Sequence, residues 1–333
     1  MSRTAGCGVG ADQGQAQPDP AGLLGQLRGA GLGRPELSPG TAAGLHGQLA
    51  AELGQLAGGL PAGTSISVTK YRISRLRVCE RFATTTGQGS VVTPELVLGL
   101  LADRVFAQVL AGYPLGPDPL QTALRAAQAD QDQELLRQWE QLDGTGRATV
   151  SDQVGRQSRA LQAGWPALPA GALPRLQDQV QIPFAGGRVV LNGRMDLVLG
   201  DPAGPTGVCL LDVKSGRRRS DDAGDAGWYA LLETLRSGVP PARTGSLYLS
   251  GCVLDLDTVT GPLLQQAADR VVRAVAVLVR LALGEQPRTN PGPMCRWCPA
   301  LPGCEPGRDN GYTRAPAGPD GTERYLDETK PNY

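Results

Sequence analysis

At about residue 175 the apolar pattern of this chain changes period, and that change constrains the fold more than any other feature. Before it, leucines recur at helical intervals between glycine and proline punctuation. After it, residues 176–182, 188–199 and 208–213 alternate or run apolar, with Gly186-Gly187 and residues 202–207 as turns. Such runs read as three consecutive strands. A helix is expected over 223–236, two strands over 246–250 and 253–259, and an amphipathic helix over 263–283, where Leu264, Ala267, Val271, Val275 and Leu278 form one stripe. This order makes an α/β (α+β) chain, a mixed central sheet flanked by helices and preceded by a helical region.

Upstream, residues 1–20 read as a flexible tail and 21–66 as a region of short helices. Thr93-Pro94-Glu95 marks a helix start, with a Thr cap, a proline at the first position and an acid in the first turn, and the helix should run to about Leu110. Residues 118–162 look helical and polar, broken near Gly144, and 164–174 form a Pro/Ala/Gly linker. The main domain is expected over 67–310: a helical part (93–165), a sheet core (175–284) and a cysteine-bearing segment (291–307). A tail follows at 311–333.

Hydrophobic residues make up 41% of the chain and charged ones 19%, so it is globular despite 46 glycines and 27 prolines. Lys plus Arg (32) balance Asp plus Glu (32), which gives no whole-molecule attraction to polyanions. The longest apolar run of the most hydrophobic helix, 274–279, is far short of the roughly 20 residues that span a bilayer. No charged-then-apolar leader opens the sequence, so a cytoplasmic protein without a membrane partner is expected. A single histidine, His46, excludes His-dependent triads and multi-His metal centres within one chain. Seven cysteines in a reducing compartment point to metal ligation or buried thiols. Cys209 and Cys252 lie in strand patterns and read as buried thiols, and Cys7 as an exposed tail residue.

Three residues stand out at adjoining strand ends: Asp196 in Gly193-Arg194-Met195-Asp196, and Asp212 with Lys214 in Leu211-Asp212-Val213-Lys214. Strand alternation puts Asp212 and Lys214 on one face, and strand pairing can bring Asp196 beside them. Two carboxylates with a backbone carbonyl, here that of Val213, make a hard oxygen site for Mg²⁺ or Mn²⁺. The bland alternative is a solvated edge strand, but Cys209, Leu210, Leu211 and Val213 describe a buried one. Buried strands rarely carry an acid and a lysine without a paired role. Cys295, Cys298 and Cys304 form C-x₂-C-x₅-C in a proline-rich loop, a spacing suited to a metal or cluster that lacks a fourth ligand.

The acid, then acid-x-Lys, arrangement resembles the core of the PD-(D/E)XK nuclease superfamily, specifically its RecB-like exonuclease branch. The resemblance implies that Asp196 and Asp212 bind the catalytic metal and that Lys214 positions the water attacking a DNA phosphodiester. In that branch an upstream helix carries a glycine and, four residues on, a metal-binding histidine. Gly99 and Asp103 hold those places here, so Asp103 replaces the histidine, a salt bridge to an arginine being the alternative. The branch's Gln-x-x-x-Tyr becomes Asp225 to Tyr229. Tyr229 then contacts substrate or braces Lys214, with core packing the bland reading. RecB-like nucleases of the AddB type and related CRISPR-associated exonucleases carry one cysteine before the core and three after it. The resemblance thus implies that Cys79, Cys295, Cys298 and Cys304 hold a [4Fe-4S] cluster, with a structural Zn²⁺ as the alternative.

The function implied is a Mg²⁺- or Mn²⁺-dependent deoxyribonuclease, an exonuclease on single-stranded DNA or duplex ends, with partners in DNA repair, CRISPR adaptation or phage defence. Arg217, Arg218 and Arg219, directly after the acid-x-Lys strand, and Arg75, in the basic segment around Cys79, are candidate phosphate contacts; a solvated turn is the other reading of the first three. Two further readings stay open: a nuclease-fold subunit that binds DNA or proteins without turnover, and a zinc-stapled regulatory protein.

Overall fold

The computed structural model describes residues 20–27, 37–38, 40–85, 92–204, 207–218 and 222–313. Residues 1–19 and 314–333 of the expected tails, Cys7 and Arg219 lie outside them, whereas Pro20 already begins the first helix. The helices are α1 (Pro20–Leu27), α2 (Thr41–Gly58), α3 (Lys70–Val78), α4 (Glu80–Thr84), α5 (Pro94–Leu110), α6 (Pro119–Ala129), α7 (Gln133–Gln141), α8 (Gly144–Gly164), α9 (Asp222–Ser237), α10 (Gly261–Ala282) and α11 (Glu305–Asp309). The strands are β1 (Ile66–Val68), β2 (Arg175–Phe184), β3 (Val189–Leu199), β4 (Cys209–Lys214), β5 (Arg243–Tyr248) and β6 (Val253–Thr258). Among the described residues, no helix is long and apolar enough to cross a membrane.

Six strands form one mixed sheet in the order β1-β3-β4-β5-β6, with β2 paired to β3. The pairs β1/β3 and β4/β5 are parallel and the others antiparallel. Strand β2 runs along one edge of β3, from Phe184 opposite Val189 to Arg175 opposite Val198. The other edge is therefore shared: β1 pairs with Val189 to Leu191, and β4 with Leu197 to Leu199. Between them lies an interval of β3 that ends at Asp196, and the chain leaving β1 enters α3 at that interval.

The sheet separates two cores. Leu49 and Leu53 of α2, Leu231 of α9 and Val271 of α10 pack with Leu191 and Leu210 on one face. Leu101 and Phe106 of α5 and Leu161 of α8 pack with Leu197, Leu211 and Leu247 on the other. The Thr93 cap is formed, its side chain accepting from the Leu96 N–H at 3.2 Å. The short helices expected before residue 60 prove to include one of 18 residues, α2. Its Gly44, Gly47 and Gly54 border open space, so Leu45, Leu49 and Leu53 carry the packing. The expected Asp118 to Gln162 region breaks twice, at Gly144 and also between α6 and α7, where Asp132 caps the next helix at the Leu135 N–H.

Gly245 of β5 has a strict steric reason. A Cβ there would lie 1.9 Å from the Asp255 carbonyl oxygen and 2.9 Å from the Leu256 Cα, both backbone atoms of β6. Gly245→Ala is expected to lower stability by about 1–3 kcal/mol through forced strand displacement, read as a lower urea midpoint.

Candidate active site

Asp212 and Lys214 alternate onto the α9 face of β4, and Asp196 ends the adjoining interval of β3. Gly193 helps α9 approach, since a Cβ there would fall 2.3 Å from the Leu232 Cδ1. The Asp196 Oδ2 accepts from the Val213 N–H at 2.8 Å. Lys214 Nζ lies 2.7 Å from Asp212 Oδ2, 3.0 Å from Asp225 Oδ2 and 3.5 Å from Asp222 Oδ1. Asp222 is held in turn by the Tyr248 hydroxyl, which donates to it at 2.5 Å. The structure thus gathers Asp196, Asp212, Lys214 and Tyr229 at one place.

It also brings a residue the pattern of the sequence does not mark. Lys70, the first residue of α3, is 7% exposed, and its ammonium sits 3.4 Å from both Asp212 oxygens and 3.2 Å from Asp225 Oδ2. The same ammonium lies 4.8 Å from the centre of the buried Tyr229 ring. Lys70 belongs to the basic segment, but only tertiary structure separates it from the arginines around it: α3 carries no apolar stripe, and its one buried residue is this lysine.

The charges are strongly interdependent. Burial raises the Asp196 carboxyl well above the usual range, and the negative charges of Asp103 and Asp212 push it further the same way. Burial acts on Asp212 in the same sense, but the ammoniums of Lys214 and Lys70 overcome it and hold this carboxyl well below its ordinary value. Both lysines are desolvated, which alone would discharge them, yet the surrounding carboxylates keep them above the ordinary lysine range. Burial raises the Tyr229 hydroxyl well above its usual value, so it remains a neutral phenol.

Asp103 lies at the margin. The buried side of α5 is made by Leu98, Leu101, Ala102 and Val105, while Asp103 is half-buried beside it rather than within an apolar stripe. Its Oδ2 is 4.0 Å from Arg194, the arginine contact that the bland reading expected. Arg217 and Arg218 are exposed and Arg218 pairs with Asp255. Arg75 instead stacks on protein, with its guanidinium 4.3 Å from the Tyr71 ring centre and 4.1 Å from that of Phe82.

The four cysteines line one pocket, closed by Phe82, Met294 and Leu301. Gly307 backs it, where a Cβ would lie 3.5 Å from the Cys304 Sγ and 3.8 Å from the Cys295 Sγ. The Asn290 N–H donates to the Cys79 Sγ at 3.5 Å and the Gly292 N–H to the Cys295 Sγ at 3.3 Å. Arg81 donates to the Gly303 carbonyl at 3.0 Å, and Glu80 accepts from Arg280 and from the Arg288 N–H. Residues 79–81 are thereby clamped to the segment after α10. Cys209 and Cys252 are buried thiols pushed up to about 11 by desolvation. His46 packs on Phe184, with ring centres 5.3 Å apart, away from both clusters.

Among the described residues, no three His, Cys, Asp or Glu side chains are grouped to hold a metal ion as they stand. The oxygens of Asp212 are instead engaged by two ammoniums. The donor chemistry fits a hard cation all the same: Asp196, Asp103 and Asp212 concentrate negative charge where burial disfavours it, and a divalent cation relieves that charge.

A mixed sheet thus presents two buried carboxylates and a lysine from the adjacent strands β3 and β4. The family model of the PD-(D/E)XK nuclease superfamily matches residues 70–305, and the chain belongs to that superfamily, whose members typically use divalent cations such as Mg²⁺. Among solved structures, a candidate exonuclease from Eubacterium rectale is similar over 76% of this chain and 91% of its own, with 13% identity and a TM-score of 0.39. No curated protein matches the chain.

Proposed function

We propose that this nuclease acts on DNA, as an exonuclease of the RecB-like kind working on single strands or duplex ends, in DNA repair, CRISPR adaptation or phage defence. The observation that carries the reading is the meeting of Asp196, Asp212 and Lys214, with the Lys214 ammonium 2.7 Å from one carboxylate and the Val213 N–H 2.8 Å from the other. Asp196 and Asp212 would hold Mg²⁺ or Mn²⁺, with Asp103 and the Val213 carbonyl as further ligands. When bound, the cation supplies Lewis-acid stabilisation of charge on the scissile phosphate. Lys214, fixed by Asp212 and Asp225, orients the attacking water, and the Tyr229 ring lies against the Lys70 ammonium. Arg217, Arg218 and Arg219 meet the strand, whereas the stacking of Arg75 on Tyr71 and Phe82 supports a bracing role for that residue.

The thiols of Cys79, Cys295, Cys298 and Cys304 would hold a [4Fe-4S] cluster that fastens the start of the domain to its end, with structural Zn²⁺ as the alternative. Support comes from their shared pocket and from the backbone N–H groups directed at two of the sulfurs.

A second reading, a nuclease-fold subunit that binds DNA or protein without turnover, draws on the Lys70 ammonium already seated on Asp212. One preparation separates the two. Anaerobically purified protein is assayed for iron and zinc and then for cleavage of labelled single-stranded DNA with Mn²⁺. Divalent-dependent cleavage that falls about 100-fold or more in Lys214→Ala is expected. Equal rates in the parent, Asp196→Ala and Lys214→Ala would overturn the mechanism, and bound zinc without iron would replace the cluster.

A further inference from the structure

A cleft of about 470 Å³ opens between α3, α9 and α10, and Lys70 and Asp225 form part of its lining. These two residues contact Asp212 and Lys214, so the cleft borders the acid and lysine cluster. Lys70, Ile73, Ser74 and Arg77 face it from α3 at helical spacing, and α10 adds Leu263, Arg270, Arg273 and Val277 from one side. The charge is one-sided: Arg77, Arg270 and Arg273 line the cleft beside one ion pair, Lys70 with Asp225. Arg270 and Arg273 have no ion pair among the described residues, in contrast to Arg280 further along the same helix, which pairs with Glu80 and Glu285. The residue at 224 accommodates this arrangement. A Cβ on Gly224 would lie 2.5 Å from the Arg270 Nη1, so the absence of a side chain lets the guanidinium rest against the first turn of α9.

Basic groups along a partly apolar cleft match a chain of phosphates carrying exposed sugars and bases. A single strand presents both, whereas a duplex hides its bases in the stack. We infer that this cleft binds the single-stranded polynucleotide leading to the Asp196, Asp212 and Lys214 site, with Arg270 and Arg273 holding its phosphates and Leu76, Leu263 and Val277 against its apolar parts. The inference rests on the nuclease reading for its choice of polymer.

The test is binding of a short fluorescein-labelled oligodeoxythymidylate in EDTA, where no divalent-dependent cleavage occurs, at several salt concentrations. The full-length parent is compared with Arg270→Ala/Arg273→Ala and with Arg273→Glu, an exposed single change that guards against misfolding. The double variant is expected to bind about tenfold more weakly, with the slope of log K against log salt flattened by roughly 0.7 for each lost contact. Arg273→Glu should weaken binding in the same direction, and Arg270→Lys/Arg273→Lys should restore most of it.

Unchanged affinity in both variants overturns the inference. So does a duplex of equal length that binds as tightly, or polyglutamate that competes as well as unlabelled oligonucleotide, since either result reduces the cleft to nonspecific charge. Failure of this reading and of the nuclease reading are separable. A parent that binds through Arg270 and Arg273 but never cleaves keeps the cleft and loses the enzyme. A parent that cleaves, with variants of unaltered affinity and KM, keeps the enzyme and loses the cleft.

Discussion

Asp212→Asn is expected to reduce divalent-dependent cleavage about 1000-fold and to lower stability by about 3–5 kcal/mol, because one carboxylate serves both the proposed chemistry and the charge balance of the core. Asp212 is 3% exposed and takes contacts from two ammoniums, Lys214 at 2.7 Å and Lys70 at 3.4 Å. Asparagine keeps the shape and removes the charge, so two desolvated lysines are left with Asp225 as their nearest shared counterion.

The pH dependence has a definite sign. The folded-state value of Asp212 is depressed, so its contribution to stability is present above the ordinary carboxylate pKa near 4 and is lost as pH falls through the depressed value. The gap in Tm between parent and Asp212→Asn, followed in EDTA by circular dichroism, should therefore be widest near neutrality and close as the solution is acidified. Asp196, with a raised value, works in the opposite sense and destabilises the fold as pH rises and it ionises. Cleavage must be measured well below the Tm of the variant. Parent-like turnover there would contradict the proposed role, and a gap in Tm that widened in acid would contradict the charge assignment.

The parts of this arrangement legible in the sequence are those encoded locally. The period-two pattern of Leu211-Asp212-Val213-Lys214 places the acid and lysine on one face, and β4 is the strand that the pattern describes. Thr93 and Pro94 announce a cap that forms. The strands after residue 175 and helices α9 and α10 follow from alternation and from the apolar stripe. What stayed hidden is long-range. Strand β1 has three residues, too few for alternation to register, yet its parallel pairing with β3 sets where α3 begins. Lys70 stands 142 residues from Asp212 in the chain, and no local pattern distinguishes it from Arg72 or Arg77. The same gap explains Asp225. In sequence it is a carboxylate where the RecB-like pattern has glutamine; in space it is the shared counterion of Lys70 and Lys214. A second lysine calls for a second acid.

That pairing makes Lys70→Met the other substitution with a large expected effect. Methionine fills much of the same volume but leaves Asp212 and Asp225 short of one buried ammonium, at a cost of about 3–5 kcal/mol of stability in EDTA. The contact over the Tyr229 ring, worth up to about 2 kcal/mol where desolvated, is lost with it. The site then carries one more uncompensated negative charge, so Mn²⁺ should bind Lys70→Met more tightly than the parent and raise its Tm by a larger increment. Binding only to the folded state contributes roughly 2.7 kcal/mol at one hundred times Kd, enough to recover much of the loss. Lys70→Arg keeps the charge and should fall between the two. Thermal melts in EDTA and across a Mn²⁺ titration decide the matter without any assay of cleavage. A parent-like Tm for Lys70→Met in EDTA would remove Lys70 from the charge balance of the site. A normal loss of stability with no added gain from Mn²⁺ would leave Lys70 as a purely structural counterion and place the cation away from Asp212.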